Sequence, residues 1–269
     1  MSEVVEERNN AGKKSHKKLI IILVILTIIV VLFLLFGVSY IKRHFIEKEV
    51  DVSAALDIKA VDLDSVKDNN RVLVVDFSYA ENASLLENVD AVSGASLMVD
   101  HHDDLQGNRI IGNCELLASM VGRSVGDCDY CAIITDKTYP DSYSGTISEA
   151  KKELDNDENV ELKSEIPDLS QYDTVFIIYP VWWGTIPKAV ESFAEQVEFR
   201  HDENDPQYVF AVVSHGGSGK AESVSDLEKT AGIKLSAPVL EVFDDDTTEA
   251  KDVVYEWLKK ISESQPSPI

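Results

Sequence analysis

Five short runs rich in β-branched and aromatic residues, 71–77 (Arg-Val-Leu-Val-Val-Asp-Phe), 130–134, 174–178, 208–213 and 238–243, limit the fold most strongly. Their apolar residues follow one another without strict alternation. A strand of that kind is buried on both faces, as in a parallel sheet. Between the runs lie stretches with helical period, clearest at 115–121, 148–154, 188–197 and 249–261. Five strands alternating with helices predict an α/β sheet covered by helices on both faces. This domain is expected over residues 71–263, with a charged stalk or peripheral helix at 41–70 and a frayed tail at 264–269.

Ahead of the domain, residues 19–38 form an uncharged stretch of 20 residues. At about 1.5 Å per helical residue it is long enough for the roughly 30 Å hydrocarbon layer of a bilayer. A cleaved signal peptide has a shorter apolar region, and Gly37-Val38-Ser39-Tyr40 is a poor cleavage site. The stretch is therefore expected to be an uncleaved transmembrane helix, assigned to 19–40, behind a basic tail at 1–18. Lys13, Lys14, Lys17 and Lys18 precede it, whereas Lys42, Arg43 and Lys48 follow. That imbalance predicts a cytoplasmic N-terminus and an extracytoplasmic domain on a single-pass cell-membrane protein.

The net charge is −23, and the part beyond residue 50 carries about −26. Such a surface repels nucleic acid and suits a basic docking face on a partner protein. Cys114, Cys128 and Cys131 are too few for a disulfide framework. Cys128 and Cys131 form a C-x-x-C, but no second pair completes a zinc site, and two ordinary half-buried cysteines are the favoured reading. His101-His102-Asp103-Asp104 reads as a solvated loop, since sequence neighbours rarely converge on one ion. No metal site is expected.

In open parallel sheets, ligands sit at the carboxyl ends of the strands, where strand order reverses. The unusual residues collect there. Phe77-Ser78-Tyr79 follows the first strand, Tyr179-Pro180-Val181-Trp182-Trp183-Gly184-Thr185-Ile186-Pro187 the third, and Ser214-His215-Gly216-Gly217-Ser218-Gly219-Lys220 the fourth. Two adjacent tryptophans in a loop present a face that a planar ligand can cover, although one of them plugging the sheet end is the plainer alternative. The glycines let backbone N–H groups approach a ligand closely.

These loops resemble the flavodoxin-like family, in particular a branch with a Tyr-Pro-x-Trp-Trp-Gly loop and a later His-Gly-Gly-Ser-Gly loop. The likeness covers roughly residues 71–260 and is strongest over 172–193. It implies a doubly wound five-stranded sheet of order 2-1-3-4-5 with non-covalent FMN held between the loops after the third and fourth strands. Tyr179, Pro180, Trp182, Trp183, Gly184, His215, Gly216, Gly217 and Gly219 would then line the ring. The family's phosphate turn, which ends in Gly-Asn-Thr, is split here by an insertion over 79–111. Ser78, Gly112 and Asn113 are carried over as phosphate contacts, and Cys114 stands where the family has threonine. A thiol donates more weakly than a hydroxyl, while the helix N-terminus remains.

The resemblance implies an FMN electron carrier, in which the cofactor does the redox chemistry and no residue need be catalytic. The acidic domain would disfavour the anionic reduced flavin and lower its potential. Two alternatives stay open. One is an FMN-dependent NAD(P)H:quinone-type oxidoreductase with His215 as a substrate contact, although a histidine that caps the glycine turn is favoured. The other is a flavin-free binding module.

Overall fold

The computed structural model describes residues 18, 20–34, 48–50, 52–83, 98–100, 109–264 and 266–269. The chain divides into two units, 1–46 and 47–269. In the first, residues 20–32 are α-helical and 33–34 continue as a π turn. Residue 19 and residues 35–40 of the expected span lie outside the described residues. Among the described residues, no helix is long and apolar enough to cross a membrane.

Among the described residues the second unit holds eight strands: β1 Lys48–Val50, β2 Val72–Asp76, β3 Met98–Asp100, β4 Arg109–Ile111, β5 Cys128–Ala132, β6 Thr174–Pro180, β7 Tyr208–His215 and β8 Leu240–Phe243. Its longer helices are α1 Asn113–Val125, α2 Tyr143–Asp155, α3 Lys188–Gln196, α4 Ser223–Ala231 and α5 Lys251–Glu263. The main sheet runs β5-β2-β6-β7-β8 with every pair parallel, which is the expected order 2-1-3-4-5. The insertion contributes β3 and β4, which form a small separate sheet with β1.

Strand alternation builds two cores. Val72, Val74, Phe176, Ile178, Phe210, Val212, Leu240 and Val242 face one way and meet Leu116, Leu117, Met120 and Val121 of α1 and Val254, Leu258 and Ile261 of α5. Leu73, Val75, Val175, Ile177, Val209, Ala211 and Val213 face the other way, against Ala189, Val190 and Phe193 of α3 and Leu227 of α4. Each fully buried side chain of this size contributes about 1.5–3 kcal/mol through removal from water. Both faces are covered, which is why the central strands read as unbroken apolar runs.

Several boundaries differ from the sequence reading. Strand β5 begins at Cys128 rather than residue 130, because at a sheet edge its register with β2, not apolarity, defines it. Helix α4 was not expected; of its residues only Ser223 and Leu227 are buried, so its apolar signal is thin. Part of the segment expected to be a stalk packs on the domain. Val52, Ala55, Val61 and Leu63 join the core beside α1 and α5, and the Val61 N–H donates to the Ser124 carbonyl at 2.8 Å. In the tail, the Ile269 N–H donates to the Gln207 carbonyl at 3.1 Å, so the end of the chain is docked rather than frayed.

Where the strands begin, charges are paired. Asp173 accepts from the Arg71 backbone N–H (2.9 Å), Lys67 (2.6 Å) and Arg200 (2.9 Å). Burial alone would raise the Asp173 pKa, but these donors outweigh it and hold the carboxyl below its ordinary value.

Candidate functional site

Strand β2 lies between β5 and β6, so its connections leave toward opposite sides and open a crevice at its carboxyl end. Alternation continues past the strand ends. Asp76 and Ser78 fall on the face covered by α1, as does Ser214 at the end of β7, next to Pro180. Helix α1 starts directly above them, with Gly112 as its N-cap. The Ser78 hydroxyl is pressed against that cap. A Cβ on Gly112 would lie 1.7 Å from Ser78 Oγ, so only glycine fits. Ser78 and Ser214 are each 1% exposed, and neither hydroxyl has a hydrogen-bond partner. Buried polar atoms without partners are uncommon, and two beside one helix N-terminus mark a place that a polar ligand can complete.

The other expected members of this group are present, with changed duties. Asn113 donates its amide N–H to the Asp244 carbonyl at 3.3 Å, tying α1 to the end of β8. Cys114 is fully buried, with its sulfur near the Ser214 backbone N–H. Burial, then the charges of Asp76 and Glu81, raise its thiol pKa well above the ordinary range, so it is held as the thiol.

The loop after β6 is a tight hairpin. Trp182 and Thr185 exchange both backbone hydrogen bonds (3.1 and 3.0 Å), leaving Trp183 and Gly184 as the two turn residues. Both have positive φ, +53° and +81°. Such a turn wants small residues, and a bulky aromatic there is strained. The two tryptophans diverge. Trp182 packs edge-on against Phe77 and Tyr139, with ring centroids at 5.4 and 5.2 Å, and belongs to the core margin. Trp183 points outward and is 52% exposed. Its indole N–H donates to the Ile147 carbonyl at 3.2 Å, and the Lys151 ammonium lies 5.7 Å from its ring centre, so α2 orients it. Gly184 in turn accepts from the Glu222 N–H at 2.9 Å, which joins this loop to the segment after β7.

That segment carries the glycines. His215 Nδ1 accepts the Gly217 N–H at 3.1 Å, so the imidazole caps the glycine turn. Gly216 lies beside the Asp244 carboxylate, and Gly219 beside that of Glu241. Tyr179 is buried on the opposite face from Ser78, among the α3–α4 core residues, and takes no part in the crevice surface.

Residues that the sequence reading missed complete the surroundings. Asp76, 5% exposed at the end of β2, lies near the carboxyl of Glu81. Burial, then the charge and hydrogen bond of Glu81, push its pKa well above the ordinary value. Glu153 is 3% exposed and accepts from the Tyr139 hydroxyl at 3.0 Å. An acid inside an apolar strand was the one available signal for Asp76; Glu153 gave none.

Cys128 and Cys131 are three residues apart on one strand, so they point to opposite faces and their Cα atoms are separated by about 10 Å. A disulfide needs about 7 Å or less, which rules out a redox pair between them. Among the described residues, no cluster of His, Cys, Asp and Glu could hold a metal ion. His101 to Asp104 lie outside the described residues.

Strand order and crevice together define a flavodoxin-like domain. A sequence model of the flavodoxin family matches residues 136–261, from the loop after β5 into α5. A protein from Bacteroides uniformis assigned provisionally as a flavoprotein shares the fold, at 18% identity over 71% of this chain and 98% of its own, with a TM-score of 0.51. A similarly assigned protein from Bacteroides eggerthii is 21% identical over 69% and 98%, at 0.45. A flavoprotein from Lactobacillus acidophilus, solved in complex with FMN, is 15% identical over 68% and 99%, at 0.44. No curated protein matches the chain.

Proposed function

We propose that this chain is an FMN-binding electron-transfer protein, anchored to a membrane by a helix over residues 19–40, with its acidic domain on the extracytoplasmic side. The observation that carries the flavin reading is Trp183. A bulky indole held at φ +53°, half exposed, at the carboxyl edge of the sheet costs stability and fills no core. Strain of this kind is kept where a ligand uses it. The match to the flavodoxin family model over 136–261 supports FMN as the planar ligand of this loop.

The residues present fit FMN. Ser78 Oγ and the backbone N–H groups at the start of α1 would hold the phosphate. Trp183 would cover the ring from one side, and the 215–219 segment would flank it. Bound FMN supplies one- and two-electron redox chemistry. The chain's part is to orient the ring and exclude water. Its net charge of −23 favours a redox partner with a basic docking face. His215, already engaged as a cap, is not positioned by that bond as a substrate acid, which favours the carrier over a quinone-type reductase.

The test is flavin titration of the full-length chain in detergent, followed by visible absorbance. The protein should be yellow or turn yellow with FMN. Trp183→Gly should relieve about 1 kcal/mol of backbone strain and raise the melting temperature. The same change should weaken FMN binding about tenfold, equivalent to 1.4 kcal/mol. A colourless protein that takes up no FMN would overturn the reading, as would a Trp183→Gly variant that binds FMN like the parent.

A further inference from the structure

We propose that Asp226, in the first turn of α4, is a positioning residue for the flavin ring: through Thr185 it latches the tryptophan hairpin to the segment after β7 and sets the angle at which Trp183 covers the ring. The proposal rests on the flavin reading above and deepens its ring end.

The hairpin does not orient itself. The two backbone bonds between Trp182 and Thr185 close it, but they leave the direction of its tip open. Its roots are firm. Trp182 packs on Phe77 and Tyr139, and Ile186, 3% exposed, lies in the core with the residues of α3 and α4. Between these roots stand Trp183 and Gly184, both at left-handed φ, a conformation that a tryptophan does not hold by preference. The tip therefore needs bonds from outside.

Those bonds come from two sides. On one, α2 takes the Trp183 indole N–H through the Ile147 carbonyl. On the other, the Glu222 N–H donates to the Gly184 carbonyl at 2.9 Å, and the Thr185 hydroxyl donates to the Asp226 carboxylate. The facing segment is strained as well. Ala221 has φ +44°, and a Cβ on Gly184 would lie 3.8 Å from the Ala221 Cβ. Left-handed residues thus meet where the two loops approach, and the two cross-bonds hold them there.

Of the two cross-bonds, the one to Asp226 is written in side chains. Any residue but proline at 222 supplies the backbone N–H, whereas a hydroxyl at 185 and an acceptor at 226 have to be encoded. A hydrogen bond to a charged acceptor is roughly twice as strong as one between neutral groups. Asp226 is also fixed in place. Its own N–H donates to the Glu222 carbonyl at 2.9 Å, and the next residue, Leu227, is fully buried in the core. Helix α4 is thus the frame, and the hairpin tip is the part that is held. With the latch closed, Trp183 is oriented before the flavin arrives, and binding does not bear the loss of freedom that ordering the tip would cost.

The experiment titrates the full-length chain in detergent with FMN and with riboflavin, and records the visible circular dichroism of the bound flavin. Thr185→Val keeps the shape and removes the donor; Asp226→Ala removes the acceptor. Each should raise the Kd about tenfold for FMN and riboflavin alike, because the ring is what the two ligands share. The circular dichroism of the flavin that still binds should change, since Trp183 then covers it at other angles. Combining the two changes should cost no more than either alone, as expected for partners in one bond. Thr185→Ser and Asp226→Asn keep a hydroxyl donor and an oxygen acceptor, and should restore affinity to within about threefold of the parent, with the parent's spectrum. Thermal melts show which variants are folded, and either folded single variant decides the point. Parent-like affinity and spectrum in folded Thr185→Val or Asp226→Ala would overturn the latch while the flavin reading stands. A loss confined to FMN, or conservative variants as impaired as the disruptive ones, would do the same. A parent that binds neither flavin would remove both.

Discussion

At the edge where the strands begin, Asp173 is ringed by Lys67, Arg200 and the Arg71 N–H; where they end, Asp76 meets a second carboxyl, Glu81. The same side chain is thus held below its ordinary pKa at one edge and well above it at the other. At the first edge the environment supplies the counter-charge and the group works as a staple, drawing the approaches to β2, β6 and β7 together. At the second, Asp76 is buried at the end of β2, and the nearby hydroxyls of Ser78 and Ser214 are buried without partners. One edge is closed by its own ion pairs, whereas the other keeps buried hydroxyls that a bound polar group can complete.

Three measurements would break or sharpen that contrast. The largest effect is expected for Asp173→Ala, which strands Lys67 and Arg200 in a partly buried place. Loss of one partner of such a network costs about 3 kcal/mol, visible in chemical denaturation at pH 7. Because the Asp173 pKa is lowered by folding, its contribution is present above the unfolded value near 3.9 and lost as pH falls through the folded one. The penalty of the mutation should therefore shrink toward pH 3, and FMN affinity should not change. A stable variant with altered flavin binding would show that the two edges are not separate in function.

Asp76→Asn should act in the opposite sense. A carboxyl whose pKa is raised by folding stabilises fully below about 3.9 and loses that contribution as pH rises through its folded value. Asparagine cannot ionise, so without flavin the variant should be more stable than the parent at pH 8 by about 1–2 kcal/mol and indistinguishable from it near pH 4. Destabilisation at pH 8 would mean that the Asp76 charge is paired after all. The smallest effect belongs to Ser78→Ala. Removing a buried hydroxyl that has no partner should leave stability unchanged or improve it by up to about 1 kcal/mol. FMN affinity should fall about tenfold while riboflavin affinity holds, since the lost donor serves the phosphate. Equal losses for both flavins would move the phosphate away from Ser78.

The central strands were legible because burial on both faces leaves a plain apolar run, as in β6 and β7. The aromatic hairpin was legible because two tryptophans between Pro180 and Gly184 have no ordinary place in a loop. Their division of labour was not. Only the turn geometry sends Trp182 onto Phe77 and Tyr139 and Trp183 outward. The packing of residues 52–66 was hidden for a related reason: Val52, Ala55, Val61 and Leu63 are scattered among charges and acquire meaning only against α1 and α5. Helix α4 hid behind its polar surface.

The sequence by itself determined the parallel α/β sheet, its strand order through the family likeness, and the edge that carries the candidate site, since these follow from local periodicity and from loop residues adjacent in the chain. Tertiary structure alone decided that Cys128 and Cys131 face apart, that His215 caps its own turn, and that Asp76 is buried near the carboxyl of Glu81. Each depends on the direction a side chain takes once its element is packed, and on whether a neighbouring charge is its opposite or its like. Neither quantity is carried by the order of residues along the chain.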